Sequence, residues 1–167
     1  MIEIILAFFL VTGAAIFESA ILSRIALIHG IADLYMLLII AWTIQPYVKQ
    51  PWAWWLIASI YSSLTSATRF GILPLAYLVI FAIALFLRQR FWRARFLTML
   101  ALSVFGTFIV HFFSVVTIAL QGTFFPIMDA INLITLPSML INLIIAVPIY
   151  AITREIVGWL YPEKIEV

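Results

Sequence analysis

The chain of 167 residues is 66% hydrophobic and 10% charged, against roughly 45–50% apolar and roughly 25% charged in soluble domains, so a water-soluble fold is excluded. Its formal charge of +2 and pI of about 9.2 come from basic residues concentrated in one short segment, a pattern of membrane topology rather than of nucleic-acid binding. Cysteine is absent, which excludes disulfides, thiol catalysis and cysteine-ligated metals.

Apolar runs separated by proline, glycine and polar residues give six expected spans, at 3–22, 31–47, 52–68, 71–88, 96–120 and 134–157. The first is apolar from Met1 and carries Glu3 where a secretory signal would carry Lys or Arg, so it is expected to be retained as a helix. Glu18 stands about one turn before its end. Such a carboxyl is either a satisfied interfacial group, snorkelling, protonated or paired with Arg24 or Arg69, or a partner contact or proton site.

The second span begins after Asp33, and its apolar part, 34–47, gives roughly 21 Å of helix against roughly 30 Å of hydrocarbon. It must borrow residues from its N-terminal side or cross a thinned bilayer. Pro46 and Pro51 bracket a tight turn into the third span, where Ser59, Ser62 and Ser66 share a face with Ser63 beside them. The fourth span carries Pro74 in its first turn, where it costs nothing.

Between the fourth and fifth spans, Arg88, Arg90, Arg93 and Arg95 alternate with Phe91 and Trp92. A short loop of this composition reads as a topology signal and a lipid anchor, with a cytoplasmic partner contact as the alternative. The fifth span carries Ser103, Thr107, His111 and Ser114 at helical spacing. The mostly apolar stretch 121–133 is expected to be a loop packed at the outer surface. In the sixth span Ser138, Asn142 and Ala146 are spaced by four, between Pro137 and Pro148.

Lipid gives apolar side chains no reason to cluster, so these stripes mark faces where helices approach closely and exchange hydrogen bonds; a ligand cavity could be lined the same way. With both termini inside, Lys49, Arg88, Arg90, Arg93, Arg95, Arg154 and Lys164 fall on the cytoplasmic side and only Arg24 and Arg69 on the other. Trp42, Trp52, Trp54, Trp55, Trp92 and Trp159 would then lie near the cytoplasmic headgroups. The sequence contains no histidine pair at ligand spacing, no Gly-rich phosphate cradle and no Gly-x-Ser-x-Gly, and no enzymatic activity or cofactor is expected.

The order of these features resembles the MreD family of rod-shape-determining membrane proteins. Glu18-Ser19 stands where that family tends to have Gln-Ser, and Ala32-Asp33-Leu34 resembles its Pro-Asp-Leu entry to the second helix. The stretch from Phe70 through Pro74 to Leu75 resembles its Leu-Gly-Leu helix start. Leu136-Pro137-Ser138-Met139-Leu140-Ile141-Asn142-Leu143, continuing to Val147-Pro148, matches the proline, asparagine and second proline of its last helix. The third span departs from the family, supplying serines but no acid. The resemblance implies an all-α polytopic protein of six helices, similar to the substrate-binding subunits of energy-coupling-factor vitamin transporters. It also implies a non-enzymatic subunit of the cell-wall elongation machinery in the bacterial cytoplasmic membrane. Its partners would be the bitopic protein MreC and, through the assembly, MreB, RodA and a penicillin-binding transpeptidase. The fold likeness supplies a second expectation, a vitamin-type carrier subunit.

Overall fold

Inside a bilayer no water satisfies the backbone, so a chain this apolar resolves into helices whose amides and carbonyls bond internally. The computed structural model describes residues 2–22, 30–65, 71–91, 94–122 and 127–162; Arg24, Arg69, Arg93, Ser66 and Trp92 lie outside them. Helix α1 (Ile2–Phe17) continues into a π-helical turn, Glu18–Leu22. It is followed by α2 (Leu34–Thr43), α3 (Trp52–Thr65), α4 (Ile72–Arg90) and α5 (Arg95–Leu120). A single turn, α6 (Ile127–Asp129), then runs through a π-helical turn, Ala130–Thr135, into α7 (Leu136–Leu160). Four stretches, Ile2–Ala20, Ile72–Arg90, Arg95–Leu120 and Ala130–Leu160, are long and apolar enough to cross a bilayer. The chain is a helical membrane protein.

The shortest of the main helices is the centre of the molecule. Nine of the 10 residues of α2 are buried, and it packs against α1, α3, α4, α5 and α7. A helix that is apolar on every side is one enclosed on every side, so its length is not set by the hydrocarbon thickness. Enclosure answers the length deficit that the sequence raised. Around α2 the outer helices turn large apolar side chains outward, among them Phe105, Phe112 and Ile144, as lipid contact requires.

Enclosure also keeps two of the tryptophans from anchoring in lipid. Trp42 and Trp54 are fully buried and stack with ring centroids 4.1 Å apart, so they join α2 to α3 in the core instead of anchoring at headgroups. Trp52 and Trp159 remain exposed.

The turn between α2 and α3 is held from two sides. Prolines 46 and 51 keep it out of both helices, which leaves its backbone groups in need of partners. The buried carboxylate of Glu3 accepts from the amides of Lys49 at 3.0 Å and Gln50 at 2.7 Å. The Arg88 guanidinium donates to the carbonyls of Pro46 and, at 3.0 Å, Val48. The start of α1, the end of α4 and the α2–α3 turn therefore meet at one end of the bundle, here called the basic end. The start of α5 and the end of α7 join them there, since Phe96 packs on Tyr150 with ring centroids 5.6 Å apart.

The last helix starts earlier than expected. Residues 127–133, anticipated as part of a loop, are helical, with Asp129 in the first turn, where an acid favours a helix start. The π-helical turn ends just before Pro137, which has no amide to donate and whose ring would collide with the carbonyl four residues back. A widened turn upstream relieves that conflict. Pro148, inside α7, is exposed.

Candidate functional site: a polar junction at the start of α2

Before α2 begins, residues 30–33 run as non-helical backbone beside the N-terminal part of α7. Such backbone is tolerated at membrane depth only where protein satisfies it. The amide of Ile31 donates to Ser138 Oγ at 2.9 Å, and that of Asp33 donates to Asn142 Oδ1 at 2.9 Å. The fit follows from two repeats: alternate residues of an extended chain recur about every 6.6 Å, and residues four apart on a helix recur about every 6 Å. A two-residue step on one element thus matches a one-turn step on the other.

Close approach makes the match possible. A Cβ on Gly30 would lie 2.8 Å from the carbonyl carbon and Cβ of Pro137 and 2.8 Å from the amide of Ser138. Only glycine lets the segment lie this near the α7 backbone.

Asp33 then starts α2. Its carboxyl oxygen Oδ1 caps the helix by accepting from the Met36 amide at 2.9 Å, as Asp does at N-caps. The buried Tyr77 hydroxyl of α4 donates toward both carboxyl oxygens, at 2.9 and 3.0 Å. Asn142, 1% exposed, passes the network on: its Nδ2 donates to Thr107 Oγ1 at 2.9 Å, and Thr107 donates to the Ser103 carbonyl at 2.7 Å. One chain of hydrogen bonds ties α2, α4, α5 and α7.

Of the residues singled out from sequence, the junction gathers Asp33, Pro137, Ser138 and Asn142. His111 stands apart, with Nδ1 3.0 Å from Thr135 Oγ1, beside a small, mainly apolar cavity of about 130 Å³. Glu18 is half-buried on the π-helical turn. Among the described residues its Oε2 has no hydrogen-bond partner. The pairings expected for Glu18 with Arg24 or Arg69 fall outside the described residues, as does Arg93. Arg90 is exposed and Arg95 half-buried at the basic end, while Arg88 holds the α2–α3 turn.

The serine stripes are buried faces, but most of their hydroxyls do not cross between helices. Ser62 and Ser63 bond the Ser59 carbonyl, Ser103 that of Leu100, and Ser114 that of Val110. A carbonyl one turn back is always within reach of a helical hydroxyl. Crossing bonds come from Thr107, His111, Ser138 and Asn142 of the stripes, and from Thr12 of α1, 2.7 Å from the Tyr61 hydroxyl. Sequence reasoning did not single out Tyr77, Gly30 or the clamp formed by Glu3.

Chemically, the junction is closed. The donors and acceptors of Asp33 and Asn142 described above meet one another, and among the described residues no cluster of His, Asp and Glu could hold a metal ion. What the arrangement does is fix the start of α2 against α4, α5 and α7. A scan of protein-family models, a search of curated proteins and a search of solved structures each found no match for this chain.

Proposed function

We propose that this chain is a non-enzymatic scaffold of the bacterial cell-wall elongation complex, of the MreD type, which holds the bitopic protein MreC and links it to the peptidoglycan synthesis machinery. The observation that carries this reading is the closure of the fifth- and sixth-span stripes upon each other, joined by the bond from Asn142 to Thr107. Ser103, Thr107, Ser138 and Asn142 are at most 1% exposed, so the faces that could have lined a binding chamber hold the bundle together instead. A vitamin-type carrier with a pocket between the stripes needs about 300–1,000 Å³ there, and the cavity beside His111 offers about 130 Å³, while the cleft of about 420 Å³ at the basic end is lined by none of the stripe residues. The stretch that carries the family resemblance, Pro137 to Asn142, is also the stretch that organises the junction.

In this reading the chain crosses the cytoplasmic membrane six times with both termini inside. The gathering of Lys49, Arg88, Arg90, Arg95 and Arg154 at one end of the bundle supports that orientation, because short loops rich in Lys and Arg stay cytoplasmic. Partner helices would dock on outward faces, since the hydrogen bonds of Asp33 and Asn142 are already made within the chain.

Isolation of the tagged chain in mild detergent tests the proposal. MreC should be recovered with it and should raise its unfolding temperature. Recovery of a tightly bound metabolite without any bitopic protein would overturn the scaffold reading in favour of a carrier.

A further inference from the structure

The basic end holds a cleft of about 420 Å³ lined by Gln45, Arg95, Phe96, Leu97, Tyr150 and Arg154. Three independent sets of hydrogen-bond donors converge on it. The first is Gln45, the residue after the α2 cap, which is 3% exposed and whose Nε2 has no hydrogen-bond partner. An amide donor left unsatisfied in a buried position is costly unless something accepts from it.

The second set is the start of α5. Its N-cap, Ala94, has no side chain to cap with, and the first helical bond runs from the Thr98 amide to the Ala94 carbonyl at 2.9 Å. Among the described residues the amides of Arg95, Phe96 and Leu97 have no partner within this helix of 26 residues, and its positive dipole end lies at the cleft that these residues line. The third set is the two guanidinium groups of Arg95 and Arg154, neither paired with a carboxylate among the described residues. Among the described residues no acidic side chain lines the cleft. Carboxamide, helix amides and arginine forks together select a phosphate.

The surroundings identify the source of that phosphate. The cleft lies between the start of one bilayer-length helix and the last three turns of another, a position that in a bilayer falls toward the headgroups. Leu97, which lines it, is 65% exposed, and Ile152 on the flank of α7 is 57% exposed, giving an apolar wall along which an acyl chain can run.

We propose that this cleft binds the headgroup phosphate of an anionic phospholipid, held between Arg95 and Arg154 over the start of α5, with Gln45 donating from below. This goes beyond the scaffold reading and does not depend on it, needing only the membrane location.

The test uses the full chain in mild detergent, stripped of lipid and offered phosphatidylglycerol, phosphatidylcholine or inorganic phosphate. Retention is read by native mass spectrometry and stability by thermal unfolding. Wild type should retain phosphatidylglycerol at least about tenfold better than phosphatidylcholine. The double variant Arg95→Gln/Arg154→Gln should lose that preference on the order of tenfold, and Gln45→Leu should weaken it. Arg90→Gln removes a charge from the same end outside the cleft and should leave retention unchanged. Equal retention of the two lipids, equal loss in Arg90→Gln, or stabilisation by inorganic phosphate as large as that by phosphatidylglycerol would each overturn the assignment. So would an accompanying polypeptide lost from the double variant while lipid retention stays intact, which would assign the cleft to a protein partner.

Discussion

At Asp33 one carboxyl answers a helix-start amide and a tyrosine hydroxyl together, so its removal is felt on two elements. Tyr77→Phe deletes only the hydroxyl and should lower stability by about 1–3 kcal/mol. Asp33→Ala removes the cap as well and strands the tyrosine, so it should cost more. Thermal unfolding in detergent of both single variants and the double variant checks this, and strict additivity would rule out the shared bond. Gly30→Ala should cost about 1–3 kcal/mol as well, since the contact it creates at 2.8 Å is with backbone, which cannot swing aside. Asp33, Ser138 and Asn142 could be picked out of the sequence because polar groups in apolar runs need partners. Tyr77 could not, since a tyrosine in an apolar helix looks like any other large side chain. Gly30 was hidden for a different reason: its requirement is set by Pro137, far along the chain.

Among the elements, the α2–α3 turn gives a direct test of how ends are fastened. Glu3→Leu leaves two turn amides without acceptors and should cost about 1–3 kcal/mol, with Glu3→Gln intermediate because one acceptor survives. Lys49 is exposed within that turn, so trypsin cleavage after it in detergent reports the loosening. An unchanged cleavage rate in Glu3→Leu would show that the carboxylate does not hold the turn. Helix positions were largely legible from apolar runs and proline punctuation, and the bracketing of the turn by Pro46 and Pro51 was read correctly. The start of the last helix was not, because an apolar lead-in of 127–133 has the composition of a buried loop as much as of a helix. The π-helical turns were equally hidden, since nothing in residue spacing announces a bond to the fifth carbonyl back.

For the molecule as a whole, the proposed six crossings with both termini inside predict a labelling pattern. In intact cells a cysteine replacing Gln89 should resist an impermeant thiol reagent and one replacing Gly122 should react; the reverse pattern would invert the chain in the membrane. Composition alone made the membrane assignment legible. The central position of α2 was written in its uniform apolarity, yet a short apolar segment reads first as a deficient span, and only the neighbours that surround it make it a core.

The bonds from Ile31 and Asp33 to Ser138 and Asn142 span sequence separations of 107 and 109 residues, and this sets a timetable for biogenesis. At translation rates of about 5–20 residues per second, the partners of that segment emerge on the order of 10 s after it does. During that interval the entry to α2 has neither the acceptors nor the enclosing walls that make it tolerable in lipid. The insertion machinery or a wet interface must shelter it until α7 arrives. A chain truncated before Leu136 should therefore fail to integrate its second hydrophobic segment, although every residue of that segment is present.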